Sequence, residues 1–282
     1  MVIKDAILCS PFCSSSKISK FYNGYEHLQY CENCSLLIKK NDKNYLEKKV
    51  INLEKFNKNV NDVITTKYYK KQIIECENQL KKIIKISKRN PKKILDYGCG
   101  YGSFLFACKN LNFSVEGYDI NTNFTSNFKK YFFKIKFKNK LLKNKKKKYD
   151  LIFCRKVLNL TPNLYEDFNT FDQILHDDGV LVVLDQVKNL SKHKSILTQN
   201  NNNTLLLSKQ SLEYYASKFN LKLIYFKNDF GDAFIIFKKI EKKIHYDGKM
   251  TLNSMLITEK YSKIFLILSN IKNFIKNIFR IL

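Results

Sequence analysis

The stretch ILDYGCGYGSFL, residues 94–105, decides how this chain folds. An apolar run leads into three glycines spaced G-x-G-x-G (Gly98, Gly100 and Gly102), and an apolar pattern with helical spacing follows. Strand, tight glycine turn and helix are the parts with which an open α/β sheet holds an adenosine cofactor at its carboxyl edge. Glycine suits such a turn because it lets the backbone come close to a ligand.

Outward from this stretch, strands and helices alternate. Candidate strands cover 93–97, 114–119, 132–137, 149–154, 179–185, 221–226 and 232–238, with helical patterns at 102–111, 163–176 and 208–219. This predicts a mostly parallel sheet covered by helices, an α/β fold. The connection KNDFG before the last strand is too short for a helical crossover, so the final pair is expected to be antiparallel. Upstream, residues 46–90 are lysine-rich, with apolar positions at Ile73, Ile74, Leu80, Ile83 and Ile84, and predict helices ending near Asn90-Pro91.

Two acidic residues narrow the ligand. The dinucleotide fingerprint places its third glycine one position later, where this chain has Ser103. Asp96 stands two residues before Gly98. A carboxylate there repels a pyrophosphate but suits the ammonium and sulfonium cations of S-adenosylmethionine. Asp119, at the tip of the next strand, can accept both ribose hydroxyls of either cofactor.

ILDYGCGYGSFL, VEGYDI, YDLIFCRKVLNL and ILHDDGVLVVLD, taken in order, resemble the motif series of class I S-adenosylmethionine-dependent methyltransferases. The resemblance spans residues 91–240 and implies a Rossmann-like, seven-stranded sheet with an antiparallel last strand. It places Asp96, Gly98, Gly100 and Gly102 against the methionine part of the cofactor and Asp119 with Ile120 at the ribose. The family's adenine-binding acid after the third strand has no counterpart, since no Asp or Glu occurs from 121 to 149 and Asn139 is the nearest polar residue. Where many relatives carry a Glu-His pair after the fourth strand, this chain reads Leu158-Asn159-Leu160.

Cys9, Cys13, Cys31 and Cys34 form C-x3-C and C-x2-C pairs around an Asn23-Gly24 hairpin signal. That spacing suits a tetrahedral four-cysteine zinc site, which would stabilise a segment too small for its own core. Cys76, Cys99, Cys108 and Cys154 are scattered and read as core or turn residues. The division expected is a zinc-ribbon module at 1–45, a helical linker at 46–90, the S-adenosylmethionine-binding domain at 91–240 and a basic amphipathic C-terminal helix at 241–282. Ribbon, linker and catalytic core together resemble bacterial zinc-ribbon methyltransferases associated with saccharide and surface-polysaccharide biosynthesis. The larger sugar C-methyltransferases carry a further C-terminal domain, so C-methylation is disfavoured.

The net charge of +26 invites a nucleic-acid reading, but only Arg89, Arg155 and Arg280 are arginines. Lysine lacks the planar fork with which arginine grips phosphates and bases. Together with the Asn, Ile, Phe and Tyr content, the lysines suit an A/T-biased coding sequence. Residues 129–148, with 11 lysines and no acid, read as a solvated face. No secretory leader and no run of 18 uncharged apolar residues is visible, so a cytoplasmic chain with reduced cysteines is expected. The tail can lie on a membrane surface, pack on the core or dimerise.

The expected activity is methyl transfer to a small, anionic saccharide or nucleotide-sugar. Its alternatives are RNA methylation, with ribbon and lysines holding RNA, and a non-catalytic scaffold. Arg155 is the candidate for binding an anionic group and His193 the candidate base, both placed at carboxyl ends of strands.

Overall fold

The computed structural model describes residues 18–20, 28–31, 34, 36–39, 63, 65–120, 149–161, 163–187, 205–229, 232–241 and 244. Three short strands come first, β1 (Ile18–Lys20), β2 (Leu28–Cys31) and β3 (Leu37–Lys39), followed by α1 (Lys67–Ser87). Then come β4 (Ile94–Tyr97), α2 (Ser103–Asn110), β5 (Val115–Tyr118), β6 (Tyr149–Arg155) and a 3-10 turn at Leu158–Leu160. The rest is α3 (Leu164–Ile174), β7 (Leu175–Gln186), β8 (Leu205–Leu206), α4 (Lys209–Lys218), β9 (Leu221–Asp229) and β10 (Asp232–Lys239).

Six strands form the main sheet in the order β5-β4-β6-β7-β10-β9. The first four are parallel, and β10 runs antiparallel to both β7 and β9. The alternating α/β pattern and the antiparallel final pair are thus as expected. The strand expected at 132–137 lies outside the described residues, as does the C-terminal helix. Six strands, not seven, are therefore present among the described residues.

Strict side-chain alternation splits the sheet into two faces. Leu95, Tyr97, Ile152, Cys154, Leu181, Val183, Ile235 and Phe237 face α3 and α4, against Phe168, Phe171, Leu212 and Tyr215. Ile94, Leu151, Phe153, Val180, Val182, Phe234 and Ile236 face α1 and α2, against Cys76, Leu80, Ile83, Phe104 and Cys108. Both faces being covered explains why the strands read as near-continuous apolar runs. At the centre of the second face, the rings of Phe104 and Phe153 stack with centroids 3.8 Å apart.

Local chemistry sets the helix ends. Thr66 caps α1 by accepting the Tyr69 N–H, and Lys88 leaves the helix in the left-handed region. Asn163 accepts the Glu166 N–H at the start of α3, where Glu166 and Asp167 suit the positive helix end. Ser208 and Ser211 form a reciprocal box that starts α4.

The expected helix at 163–176 stops at Ile174, because Leu175 turns extended and pairs with Tyr149. His176, expected on that helix, is therefore an exposed residue of β7. The acids Asp177 and Asp178 hide the strand in the sequence, since acids have a low strand preference, and they fall in an irregularity between the Tyr149–Leu175 and Leu151–Val180 pairs.

A smaller sheet has the order β1-β2-β3-β8, so residues 205–206, distant in sequence from the first three strands, complete it. Cys31, Cys34 and Leu36 are fully buried in the same cluster as Leu158, Val187 and Leu207. The Cys31 N–H donates to the Leu36 carbonyl at 2.9 Å and closes the turn that carries the C-x2-C pair. Among the described residues no helix is long and apolar enough to cross a membrane.

Phe153→Ala should lower the unfolding free energy by about 3–5 kcal/mol, since it removes a buried ring and leaves a void beneath Phe104. Urea denaturation measures this. A loss below about 1 kcal/mol would contradict the packing described.

Candidate functional site

Side-chain alternation also places the site. On the α1 face, Asp96 and Arg155 stand at the carboxyl ends of β4 and β6, Leu184 near that of β7, and Phe234 near the start of β10. All four line a cavity of about 570 Å³ at the carboxyl edge of the parallel strands, where such sheets bind ligands. Gly98, Cys99, Gly100 and Tyr101 form its wall beside β4, and α1 forms the opposite wall.

Gly98, Gly100 and Gly102 have φ of 75°, 47° and 73°, a region costly for other residues. The N–H groups of Gly98 and Cys99 both donate to the Tyr118 carbonyl, at 2.7 and 2.9 Å, which ties the turn to the end of β5. Asp119 accepts the Gly100 N–H through Oδ2 at 2.8 Å and fixes the turn from the other side. A Cβ on Gly98 would meet Val157 Cγ2 at 2.2 Å, whereas one on Gly100 would meet nothing within 4 Å. Gly98 is thus needed for packing, and Gly100 presents bare backbone to open space. The Tyr69 hydroxyl, donating to the Tyr101 carbonyl, ties α1 to the same turn.

Asp96 is the dominant electrostatic feature. It is 3% exposed, and burial pushes its carboxyl up to about 7. The Arg155 guanidinium opposes that rise and the Asp119 carboxylate adds to it. Burial also pushes the thiols of Cys76, Cys99 and Cys108 up and keeps them neutral, so they add no further negative charge around it. Arg155 is held in place through Nη2, which donates to Ser103 Oγ at 2.6 Å, and Nη1, which donates to Cys76 Sγ at 3.3 Å. A buried carboxyl poised between its two protonation states favours a cationic ligand group.

Asp96, Gly98, Gly100 and Arg155 meet at the cavity. Gly102 caps α2 behind it, and Asp119 and the exposed Ile120 follow β5. His193, Cys9 and Cys13 lie outside the described residues. Among the described residues, no cluster of three or more His, Cys, Asp or Glu could hold a metal. Cys76, Cys99, Cys108 and Cys154 are buried, as their scatter suggested. Asn159, in place of the family's Glu-His pair, bonds to Asp185 through both its backbone N–H and its side-chain amide. Both residues are almost fully buried, so this pair braces the ends of β6 and β7.

Sequence reasoning missed the α1 wall. Tyr68, Gln72, Glu75, Gln79 and Lys82 line the cavity at alternating spacings of four and three, parallel to the buried seam of Tyr69, Cys76, Leu80 and Ile83. The signal was present as a second helical stripe, polar where the first is apolar. Asp232 and Lys156, paired at 3.7 Å, complete the rim.

The raised Asp96 carboxyl has a definite pH consequence. The native group keeps its proton up to about pH 7, whereas in the unfolded chain it ionises near pH ~4. Stability from this group is therefore full below about pH 4 and lost as pH rises through about 7. Asp96→Asn should raise the ligand-free melting temperature at pH 8 by at least about 3 °C and change it little at pH 4. An unchanged or lower melting temperature at pH 8 would contradict this electrostatic picture.

The fold has many solved counterparts. A structure described as a sarcosine dimethylglycine methyltransferase from Galdieria sulphuraria superposes with a TM-score of 0.50 at 16% identity, covering 60% of this chain and 87% of that one. A S-adenosylmethionine-dependent methyltransferase from Methanosarcina mazei gives a TM-score of 0.48 at 15% identity, over 57% of this chain and 98% of that one. A glycopeptide N-methyltransferase, MtfA, gives 0.48 at 8% identity, over 58% and 90%. No curated protein matches the sequence. The sequence does match the family model described as a methyltransferase domain, over residues 69–225, which is more than half of the chain and runs from the first turn of α1 into β9. With the glycine turn, the two-faced sheet and this match in agreement, the chain belongs to the methyltransferase-domain family and is an S-adenosylmethionine-dependent methyltransferase.

Proposed function

We propose that this methyltransferase acts on a small polar acceptor, a saccharide or the sugar part of a nucleotide-sugar, of the kind used in surface-polysaccharide biosynthesis. The observation that carries the reading is the charge balance of the cavity. In a chain of net charge +26, its lining sets Lys82, Arg155 and Lys156 against Glu75, Asp96 and Asp232. An RNA-binding site would concentrate positive charge here, so the lining speaks against RNA as acceptor. A neutral hydrogen-bonding ligand with at most one anionic group suits it, with Arg155 facing that group.

The residues present fit the cofactor. S-adenosylmethionine supplies, when bound, a methyl group activated by a sulfonium. Asp96 takes the cationic methionine end, a role for which a buried carboxyl only partly offset by Arg155 is suited. Gly98 and Gly100 let the backbone approach, and Asp119, beside Ile120, takes the ribose hydroxyls. Transfer then needs alignment of the acceptor and exclusion of water. Covering the turn with α1, held by Tyr69, serves the second need. His193 is the proposed base for a hydroxyl acceptor.

The amino-terminal cysteines are proposed to hold one structural zinc, with Cys9 and Cys13 joining Cys31 and Cys34. Two buried cysteines three positions apart on a closed turn support this. The basic tail is proposed to contact an anionic membrane surface.

Calorimetry should detect S-adenosylmethionine binding, and Asp119→Ala should weaken it at least tenfold. Absence of binding by the wild type would remove the basis of the reading. Elemental analysis of the purified chain should give about one zinc per molecule, falling to about zero for Cys31→Ser/Cys34→Ser. A folded wild-type chain without metal would contradict the four-cysteine site.

A further inference from the structure

The α1 wall of the cavity has two ends. Near its start, Tyr69 is bonded to the glycine turn through Tyr101. Further along, Lys82 Nζ lies 4.7 Å from the ring centre of Phe234 and 4.8 Å from that of Tyr225, on the β10–β9 side of the sheet. Gln79 is ten residues beyond Tyr69, roughly 15 Å along the helix axis. It stands one helical turn before Lys82, away from the turn proposed to hold the cofactor.

Gln79 lines the cavity, and its Oε1 is buried without a hydrogen-bond partner among the described residues. A buried carbonyl in that condition calls for an O–H or N–H donor from a ligand. The lining of the same cavity offers the carboxylates of Glu75 and Asp232, the cations of Lys82 and Lys156, and an apolar wall made by Phe234 and Leu184. Polar groups of both signs around a single apolar face match an amphipathic ring that carries several hydroxyls.

From this juxtaposition we infer that the β10 end of the cavity is the acceptor subsite, that it takes a pyranose ring, and that Gln79 Oε1 accepts a hydrogen bond from one ring hydroxyl. The inference rests on the proposed methyl transfer to a saccharide and adds where the sugar sits and which residue selects it. Gln79 is a specificity-determining residue, and the cofactor does not depend on it. A sugar hydroxyl supplies the missing donor, and the ring's C–H face lies against Phe234. An analogue lacking that hydroxyl would leave Gln79 unpaired, which is how a buried polar group rejects the wrong ligand.

The test is saturation-transfer NMR on the full chain loaded with S-adenosylhomocysteine. The probes are the methyl glycosides of glucose, galactose, mannose and N-acetylglucosamine, with UDP-glucose and an adenosine 12-mer RNA as separate arms. Ring-proton signals are expected from at least one glycoside. Gln79→Leu and, separately, the surface variant Asp232→Ala should reduce them at least fivefold, while affinity for S-adenosylhomocysteine changes less than twofold. A signal from UDP-glucose alone, equally lost in both variants, keeps the ring in the subsite and assigns the added affinity to the nucleotide. No signal from any sugar probe, signals unchanged by both variants, or signal from the RNA alone overturns the inference. Loss of S-adenosylhomocysteine binding in Gln79→Leu overturns it too, by placing Gln79 at the cofactor. If the wild type fails to bind S-adenosylhomocysteine, the proposed function fails first and the subsite with it.

Discussion

A carboxyl group buried at the end of β4, with no ion-pair partner among the described residues, is the constraint on which the site depends. Asp96 belongs to the face of the sheet that otherwise carries Ile94, Phe153 and Val182. A carboxylate among such neighbours is costly unless a counter-charge arrives. Arg155 offsets part of the cost from β6, but Ser103 and Cys76 hold its guanidinium. On the proposed reading the remaining counter-charge comes with the cofactor. The fold thus gives up stability in the empty state and recovers it on binding.

The geometry around Asp96 follows from backbone requirements. Three residues with positive φ turn the chain sharply after β4, and all three are glycines. The turn is braced by the Tyr118 carbonyl, by Asp119 and by the Tyr69 hydroxyl. These braces come from the end of β5, the residue following it and α1, so the turn depends on the assembled domain. On the opposite face, Cys31, Cys34 and Leu36 are buried with Leu158 and Val187, and β8 completes the small sheet. The cysteine module and the methyltransferase domain therefore share a core.

Much of this was legible in the residues. The glycine spacing and the alternation of apolar runs are local signals, and they identified β4, β5, β6, β9, β10 and all three helices of the parallel region. The early start of β7 at Leu175 was hidden because His176, Asp177 and Asp178 are exposed and poor strand formers, and they fall in an irregularity between the Tyr149–Leu175 and Leu151–Val180 pairs of β6 and β7. The α1 wall was hidden for another reason. A polar stripe on a helix ordinarily faces water, and only the position of α1 against the sheet turns Gln79 and Lys82 toward a cavity. Arg155 was identified from its place after the strand expected at 149–154, yet its fixation by Ser103 and Cys76 could not be read from a sequence in which those residues stand 52 and 79 positions away.

On the proposed reading, the Asp96 carboxyl, about half protonated near neutral pH before the cofactor binds, ionises to receive the cofactor's cation. Calorimetric titration with S-adenosylmethionine at pH 6.5, in two buffers of different ionisation enthalpy, measures the proton exchange directly. The account predicts release of about half a proton or more per cofactor bound, with no release at pH 8.5 and none in Asp96→Asn. Binding without proton release at pH 6.5, or the same release from the variant, would contradict it.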